Sequence, residues 1–558
     1  MRFSALLLLL AALPAAAADD WPQFGHDARH AGKVDQFAQP LLRIFADVEY
    51  DPFVADEQDS TGGDLLVHYQ VPLVDGDDVF MEFKSGRFTG EFTWQTQEWS
   101  IHRLHWENGT LADKWSAPTD WKPAPAASVT SWEPEFHAIL ANGFLYEPGA
   151  GGTLLQIDRG DGSLVRRINP FGATVDTSTY VTGPPAADAT GNIYYTAIRF
   201  NPSAPWTSDV RGAWLVRVAP DATTSLVSFS TIAVGAPPAT AQCLAIFDLS
   251  QTPLPPSPNA VPPSITCGSQ RPGLNVAPAI APDGTIYVVS RAHFNSYWGM
   301  LVAVNPDLTP KWATSMRGRF HDGCNVSLPP NGTDGGCRTG TATGVNPEEN
   351  LPGAGRVVDM STSSPVVAPD GSILYGAFSL YNDGQGHLMH FASDGTYLGA
   401  YPFGWDITPA IWQHDGTWSA VIKENHYGGA VHPTPAYFIT QLAPSLDVEW
   451  QARNTTTVAC GRHPDGSVSC VPAQPEGFEW CVNAPAIDAN GTVYVNSEDG
   501  FLYAIAQGGA IRQKIFLQLA IGAAYTPVSI GLDGRIYAQN AGHLFAIGGQ
   551  VHPRAVRH

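Results

Sequence analysis

The chain has 558 residues and carries 30 Lys and Arg against 52 Asp and Glu, a formal net charge of −22. This negative charge argues against nucleic acid and anionic membrane surfaces as partners, because both are themselves anionic. The 55 Gly, 46 Pro and 16 Trp are typical of a turn-rich, all-β protein.

The N-terminus has the pattern of a secretory signal peptide. Arg2 precedes a short run of Ala and Leu, and Ala15 to Ala18 supply small residues for cleavage. The apolar run is too short to span a bilayer, and no Cys follows it to carry a lipid. We therefore predict a signal peptide over residues 1–18 and a periplasmic or secreted mature protein without a membrane anchor.

Residues 41–48 form a lone apolar strand, and a repeated unit follows it eight times. In each unit a short apolar strand meets a Gly turn, and a second strand rich in Ile, Tyr and Val follows. The clearest turns are Asp283-Gly284, Asp370-Gly371, Asn490-Gly491 and Asp533-Gly534; weaker ones end at Gly76, Gly143, Gly191 and Gly416. Asp-Gly and Asn-Gly supply the positive φ angles that tight hairpins need.

A third and a fourth strand follow the hairpin in most units. Four antiparallel strands repeated radially predict an all-β, eight-bladed β-propeller, a single domain over residues 19–550 with a tail at 551–558. The last unit lacks its fourth strand. We predict that the lone strand at 41–48 pairs with residues 542–547 and closes the ring, because sheets avoid open edges.

Seven cysteines lie in three insertions, at about 236–275, 318–360 and 452–482. Local pairing predicts the disulfides Cys243–Cys267, Cys324–Cys337 and Cys460–Cys470, and leaves Cys481 open. No Cys-x-x-Cys spacing occurs, and Cys460-Gly-Arg-His463 lacks the second Cys of a haem-attachment motif.

The segment Trp-Pro-Gln-Phe-Gly-His-Asp-Ala-Arg-His-Ala-Gly at residues 21–32, together with the repeats, resembles the quinoprotein-dehydrogenase-like (PQQ-repeat) propellers. The resemblance covers nearly the whole mature chain and implies the eight-bladed scaffold. That family includes dehydrogenases that use pyrroloquinoline quinone (PQQ) and also members without a cofactor. The motifs therefore indicate the fold and leave the chemistry open.

The insertions and the turns between second and third strands must share one face of a propeller, which we call the decorated face. Its long turns are rich in Arg, His, Tyr and Trp, which suit sugar rings and carboxylates. The candidate ligand-binding residues are Arg199, Arg291, His293, Tyr297, Trp298, Lys423, Glu424, His426 and Tyr427. We predict a binding module for a protein or carbohydrate ligand; the alternative is that these aromatics only pack the loops.

Two enzymatic interpretations remain as alternatives. The resemblance implies a PQQ- and Ca²⁺-dependent dehydrogenase of alcohols or sugars, although no two cysteines are adjacent as in many such enzymes. Oxygen ligands for Ca²⁺ could come from Glu135, Asn275, Asp406 and Asn483, which equally suit a solvated channel. A polysaccharide lyase would need a cation and a Tyr or His, which the candidate turns contain, but the negative charge opposes an acidic polysaccharide.

Overall fold

The structure is a computed structural model. It describes residues 20–62, 70–90, 92–126, 128, 131–132, 134, 137–326, 336–428, 434–463, 465–521 and 526–549. The predicted signal peptide, the tail at 551–558 and the metal candidate Glu135 lie outside the described residues.

Eight four-stranded antiparallel sheets form the blades of a β-propeller, as the repeats predict. The strands of each blade are numbered here from the central channel outwards, and the inner strand of blades 3 and 4 is split in two. The strands of blade 1 are Leu73–Asp75, Asp78–Gly86, Gln97–Glu107 and Thr110–Thr119. The strands of blade 2 are Ile139–Ala141, Phe144–Gly149, Thr153–Asp158 and Leu164–Ile168. The strands of blade 3 are Thr179–Val181 with Ala186–Ala187, then Ile193–Arg199, Gly212–Val218 and Thr224–Ser228. The strands of blade 4 are Gln270–Pro272 with Ala279–Ile280, then Ile286–Ala292, Asn295–Val304 and Pro310–Ser315.

The remaining four blades follow the same order along the chain. The strands of blade 5 are Val366–Val367, Ile373–Ala377, His387–Phe391 and Tyr397–Tyr401. The strands of blade 6 are Ala410–His414, Thr417–His426, Ala436–Leu442 and Val448–Arg453. The strands of blade 7 are Ala486–Ile487, Val493–Asn496, Phe501–Ala506 and Ala510–Phe516. The strands of blade 8 are Ser529–Ile530, Ile536–Asn540, His543–Gly548 and, as its outer strand, the N-terminal Arg43–Glu49. Aromatic and β-branched side chains fill the space between blades; Trp106 of blade 1, for example, donates a hydrogen bond to Tyr537 of blade 8 at 2.8 Å.

The N-terminal strand closes the ring, as predicted. Arg43–Glu49 runs antiparallel to His543–Gly548, with Ile44 opposite Ile547 and Val48 opposite Leu544. The first and last parts of the chain therefore share blade 8, and the N-terminal strand pairs with the outer edge of the third strand.

Residues 21–39, which we call the strap, cross the channel end opposite the decorated face. The strap makes hydrogen bonds to every blade in order, at Val74, Leu140, Ala187, Ile280, Val367, Ile411, Ile487 and Gly534. Gly32 holds a φ of +63° there, and a Cβ atom would lie 2.8 Å from the carbonyl oxygen of Pro485. The contacts of the strap with successive blades give the motif at residues 21–32 a structural role that the sequence alone did not indicate.

The insertions carry short hairpins and the three predicted disulfides. The hairpins are Gln242–Leu244 with Ser264–Thr266, Val345–Asn346 with Leu351–Pro352, and Val458–Arg462 with Val468–Pro472. Cys243–Cys267, Cys324–Cys337 and Cys460–Cys470 are bonded, and Cys481 is a buried free thiol. Such disulfides are typical of proteins that fold in an oxidising compartment.

Helix is scarce in this fold. The described residues form two short α-helices, Val54–Thr61 and Phe229–Ile232, and a 3₁₀ turn at Trp94–Thr96. Neither α-helix is long and apolar enough to cross a membrane.

Candidate functional site

The first two insertions pack on each other above blade 4. Arg338 donates its backbone N–H to the carbonyl of Leu254 at 2.9 Å, and the Asn350 amide donates to Pro258 and Ala260. Phe247 donates its backbone N–H to the carbonyl of Glu348 at 2.9 Å. The two insertions therefore form one cover over this part of the decorated face.

The four candidates that the sequence placed in the blade 4 turn lie beneath this cover. Only His293 is in the turn itself, because the second strand runs to Ala292 and the third begins at Asn295. Arg291, His293 and Tyr297 are only 9%, 5% and 5% exposed, and Trp298 is partly buried. The Trp298 indole donates to the Leu244 carbonyl at 3.2 Å. These side chains therefore contact protein groups in this structure, in the manner expected of packing residues.

A buried charge network anchors the cover to blade 4. Asp359 accepts hydrogen bonds from Arg271 at 2.7 and 2.5 Å and from Arg291 at 3.0 Å. Burial lowers the pKa of Arg291 to about 9, and burial together with the two guanidinium groups lowers that of His293 to about 3. Arg271 and Asp359 are 88 residues apart, and no sequence pattern pointed to either.

Strand alternation divides the candidates of blade 6 into two groups. Glu424 and His426 point between blades 5 and 6, where the ring of His426 stacks on Phe403 at 4.4 Å between centroids. Glu424 accepts hydrogen bonds from Tyr401, Thr440 and His426, which hold the pKa of this carboxyl below its usual value despite burial. The sequence placed all of residues 423–427 in one turn, whereas the second strand extends to His426.

The last candidate, Arg199, lies apart from the others on blade 3. It pairs with Asp176 at 2.9 Å, donates to Thr179 at 2.8 Å, and its guanidinium lies 5.2 Å from the centre of the Trp214 ring. The structure therefore does not bring Arg199 together with the blade 4 or blade 6 candidates.

Lys423 and Tyr427 line a cavity of about 120 Å³ between blades 5, 6 and 7, which we call the blade 5–7 pocket. Its lining residues are Asp383, Gly384, Gln385, Gly404, Trp405, Lys423, Asn425, Tyr427, Glu479 and Cys481. The pocket combines two aromatic rings, one ammonium group, carboxylates and side-chain amides. Such a mixture is suited to binding a polar group in a fixed orientation.

One wall of the pocket is acidic. Tyr427 donates to Glu479 at 2.6 Å, and Cys481 lies 3.7 Å from Glu498. Burial and the two glutamates raise the pKa of the Cys481 thiol well above its usual value, so this thiol is neutral. Glu479, Cys481 and Glu498 place one ligand atom each within 4.8 Å of one another.

Trp405, which also lines the pocket, carries a hydrogen-bond donor. The buried indole nitrogen of Trp405 has no hydrogen-bond partner among the residues that the structure describes. Lys423 lines the same pocket, and its ammonium nitrogen lies 3.8 Å from a carboxylate oxygen of Asp406. A ligand acceptor, such as a hydroxyl or carbonyl oxygen, would satisfy the Trp405 nitrogen.

The described metal candidates already accept hydrogen bonds from protein donors. The amide oxygen of Asn275 accepts from the Trp132 indole at 2.9 Å, and that of Asn483 accepts from the Thr408 backbone at 2.6 Å. Asp406 accepts two bonds from Thr362, at 2.8 and 2.9 Å. These residues support the segments that lead into inner strands, and they do not fit the converging oxygen set that Ca²⁺ takes.

A Ser–His–Asp hydrogen-bond chain lies in blade 5. His387 bonds Ser379 at 2.8 Å through Nδ1 and Asp322 at 2.7 Å through Nε2, and Phe320 stacks on its ring at 3.8 Å. A nucleophile must reach its substrate, but Ser379 is only 1% exposed. The chain therefore holds the second insertion against blade 5.

The opposite end of the channel has shallow depressions on either side of the strap. One of about 700 Å³ lies between the strap and the hairpin turns of blades 2, 3 and 4. Another of about 390 Å³ lies beside blades 5 and 6. Neither depression contains a residue that the sequence predicted as functional.

No protein-family model matches the chain, and no curated protein sequence matches it significantly. Solved structures do match its fold. A europium-containing methanol dehydrogenase is 11% identical with a TM-score of 0.50, and the match covers 94% of this chain and 89% of the other. The quinohemoprotein alcohol dehydrogenase from Comamonas testosteroni is 12% identical with a TM-score of 0.53, covering 97% and 83%.

BamB from Moraxella catarrhalis matches at 9% identity and a lower TM-score of 0.39, over 91% of this chain and 100% of that protein. Identities this low establish a shared fold and no shared activity. The eight closed blades, the repeats and the matches to the two dehydrogenases agree, and the chain has the fold of the quinoprotein-dehydrogenase-like propellers.

Proposed function

We propose that the protein is an exported, non-catalytic binding module whose blade 5–7 pocket holds one end of a carbohydrate ligand. The observation that carries this proposal is the convergence of Trp405, Tyr427, Lys423, Asn425 and Glu479 around one cavity on the decorated face. Aromatic rings pack against the apolar faces of sugar rings, and amides and carboxylates bind their hydroxyl groups.

The size of the pocket indicates how much of the ligand it holds. Its volume of about 120 Å³ is well below the roughly 300–1,000 Å³ of a typical small-molecule site. The pocket therefore suits the terminal group of a longer ligand, and the rest of that ligand would extend over the decorated face.

The charges of the pocket favour a neutral ligand. Lys423 provides a cation, whereas Glu479, Asp383 and the nearby Glu498 provide carboxylates. An anionic sugar would meet this acidic wall and the negative charge of the whole chain. A neutral hydroxyl-rich group can donate to the carboxylates and accept from the Trp405 indole.

Calorimetric titration with a panel of neutral cello-, malto- and xylo-oligosaccharides tests the proposal. For a sugar that binds the wild type, Trp405→Phe removes the indole N–H but keeps a ring and should weaken binding tenfold or more. Tyr427→Phe should weaken it as well, because Glu479 loses its positioning hydrogen bond. Trp412→Ala, in the inner strand of blade 6, should leave binding unchanged.

Thermal melts of each variant separate lost binding from lost folding. Equal affinity in wild type and Trp405→Phe would overturn the proposal, and so would the absence of binding to every sugar of the panel. If Trp412→Ala weakened sugar binding as much as Trp405→Phe does, the binding site would lie outside the blade 5–7 pocket.

Quinone-dependent oxidation is the alternative function, because dehydrogenases are among the proteins of similar fold. It would need bound quinone and metal, which the Asn275, Asp406 and Asn483 oxygens are not arranged to hold. Reconstitution with Ca²⁺ and PQQ, followed by an assay of dye-linked oxidation of alcohols and sugars, tests it. Turnover that depends on the quinone would replace the binding function.

A further inference from the structure

Three ionisable side chains meet where the chain passes from the N-terminal strand of blade 8 to blade 1. The ammonium nitrogen of Lys84, in the second strand of blade 1, lies 2.5 Å from Oδ2 of Asp51 and 3.3 Å from Oε1 of Glu57. Asp51 follows the N-terminal strand Arg43–Glu49, and Glu57 lies in the helix Val54–Thr61. The side chains of Lys84, Asp51 and Glu57 are 7%, 0% and 9% exposed, so protein encloses the cluster.

Backbone hydrogen bonds hold Lys84 and Asp51 beside each other. Lys84 donates its backbone N–H to the carbonyl of Tyr50 at 2.8 Å. Tyr50 and Asp51 in turn donate theirs to the carbonyl of Gly542 in blade 8, at 2.8 and 3.1 Å. Oδ1 of Asp51 accepts the backbone N–H of Phe53 at 3.0 Å, which orients the carboxyl group. Two groups held in contact in this way react far faster than the same groups free in solution.

The enclosure makes the ion pair of Lys84 and Asp51 costly, because burial removes the hydration of both charges. Burial would lower the pKa of Lys84, but the two nearby carboxylates raise it, so the resting pair is ionic. Burial raises the pKa of Glu57 to about 7, so this carboxyl group can take up and release a proton near neutral pH. A neutral amide in place of the ion pair would remove two buried charges.

We propose that Lys84 and Asp51 condense to an isopeptide bond, and that Glu57 transfers protons in this reaction. One Lys84 proton first passes to the Asp51 carboxylate, which gives an amine and a carboxylic acid. The amine nitrogen then bonds to Cγ of Asp51, while Glu57 takes a second proton from this nitrogen and passes it to the departing hydroxyl group. The C–O bond breaks and one water molecule leaves. The third proton stays on the amide nitrogen, and Glu57 returns to its starting state.

The bond joins the end of the N-terminal strand covalently to blade 1. It closes a loop between residues 51 and 84 and restricts the unfolded chain, as a disulfide does. The strand that closes the ring is thereby fixed at its C-terminal end. This inference does not depend on the ligand of the blade 5–7 pocket, which none of the three residues lines.

Mass spectrometry of the purified, denatured and reduced protein tests the proposal. The wild type should be lighter than its mature sequence by the mass of one water molecule, and proteolysis should give a branched peptide that contains residues 51 and 84. Lys84→Arg keeps the cation and should show its full sequence mass. Asp51→Asn should lose ammonia instead of water and reach the same mass as the wild type, because the amide product is identical. Glu57→Gln should leave most chains unlinked.

The exposed pair of Lys114 and Glu107 is a control within the same blade. Its nitrogen and oxygen are also 2.5 Å apart, but the side chains are 34% and 56% exposed, so both residues should be recovered unlinked.

Three results would overturn the proposal: a wild type at full sequence mass, a loss of water that persists in Lys84→Arg, or a branch at Glu57 in place of Asp51. Complete linkage in Glu57→Gln would overturn the role of Glu57. The branched peptide and the mass of Asp51→Asn decide the question even if Lys84→Arg does not fold.

Discussion

Arg271 donates one hydrogen bond to each carboxylate oxygen of Asp359, at 2.7 and 2.5 Å, and so ties the start of blade 4 to the segment before blade 5. Both side chains are almost fully buried, and Arg291 adds a third bond to the same carboxylate. A single carboxylate thus pairs with two buried guanidinium groups beneath the cover of insertions.

Removing this carboxylate should destabilise the protein strongly. Asp359→Asn leaves two buried guanidinium groups without an anion, and the free energy of unfolding should fall by about 3–5 kcal/mol. Urea unfolding followed by Trp fluorescence measures the loss. Asp283→Asn disrupts the exposed pair of Asp283 with Lys311 and should cost under about 1 kcal/mol. Equal losses in the two variants would mean that the buried network does not stabilise the fold.

The strap should tolerate no side chain at residue 32. In Gly32→Ala the new Cβ would meet the Pro485 carbonyl at 2.8 Å and the Ala410 Cβ at 3.0 Å, on a backbone with a positive φ. Gly109→Ala is the matched control, because Gly109 also has a positive φ of +82° but has no atom within 4 Å of the added Cβ. Gly109→Ala should cost about 1 kcal/mol and Gly32→Ala clearly more, by chemical unfolding. Equal costs would show that the strap can move away from blades 6 and 7.

Glu348 should make stability fall as the pH rises. Burial raises its pKa from 4.5 to about 7, so the folded protein holds this proton while the unfolded chain releases it. The stability that the protonated group contributes is complete below pH 4.5 and is lost as the pH rises to about 7. Glu348→Gln, which keeps an acceptor for the Tyr297 hydroxyl, should gain up to about 3 kcal/mol over wild type across that range.

Unfolding curves at intervals from about pH 4 to 8 measure this difference. The control is Glu98→Gln, because the Glu98 side chain is exposed. A constant difference between Glu348→Gln and wild type at every pH would contradict the assignment.

Thiol chemistry should find a single reactive cysteine, and only in the unfolded protein. Three disulfides use six cysteines, and Cys481 is buried with a raised pKa. A thiol reagent should therefore label about one site per chain in denaturant without reductant, and almost none in the folded protein. Peptide mapping should locate that label at Cys481. Additional labelled cysteines would mean that one of the three bridges does not form in the purified protein.

The sequence by itself determined the eight blades, the closing strand and the three disulfides. Each depends on contacts between neighbouring residues or on a pattern that repeats, such as Asp283-Gly284 at a hairpin turn or Cys460 opposite Cys470 in one hairpin. The closing strand followed from the same pattern, because the last unit lacked its fourth strand and residues 41–48 formed a strand without a hairpin partner.

The tertiary structure alone decided which polar side chains meet. Arg271 in blade 4 and Asp359 in the segment before blade 5 are 88 residues apart, and a single sequence gives no signal for such a pair. The candidate turn of blade 4 proved to lie under two insertions, because those insertions fold back on each other. In blade 6 the strand extends to His426, and its alternation sends Lys423 to the pocket and Glu424 to the opposite side. Blade number and strand pairing follow from local repetition, whereas the pocket and the buried charges depend on how blades and insertions pack.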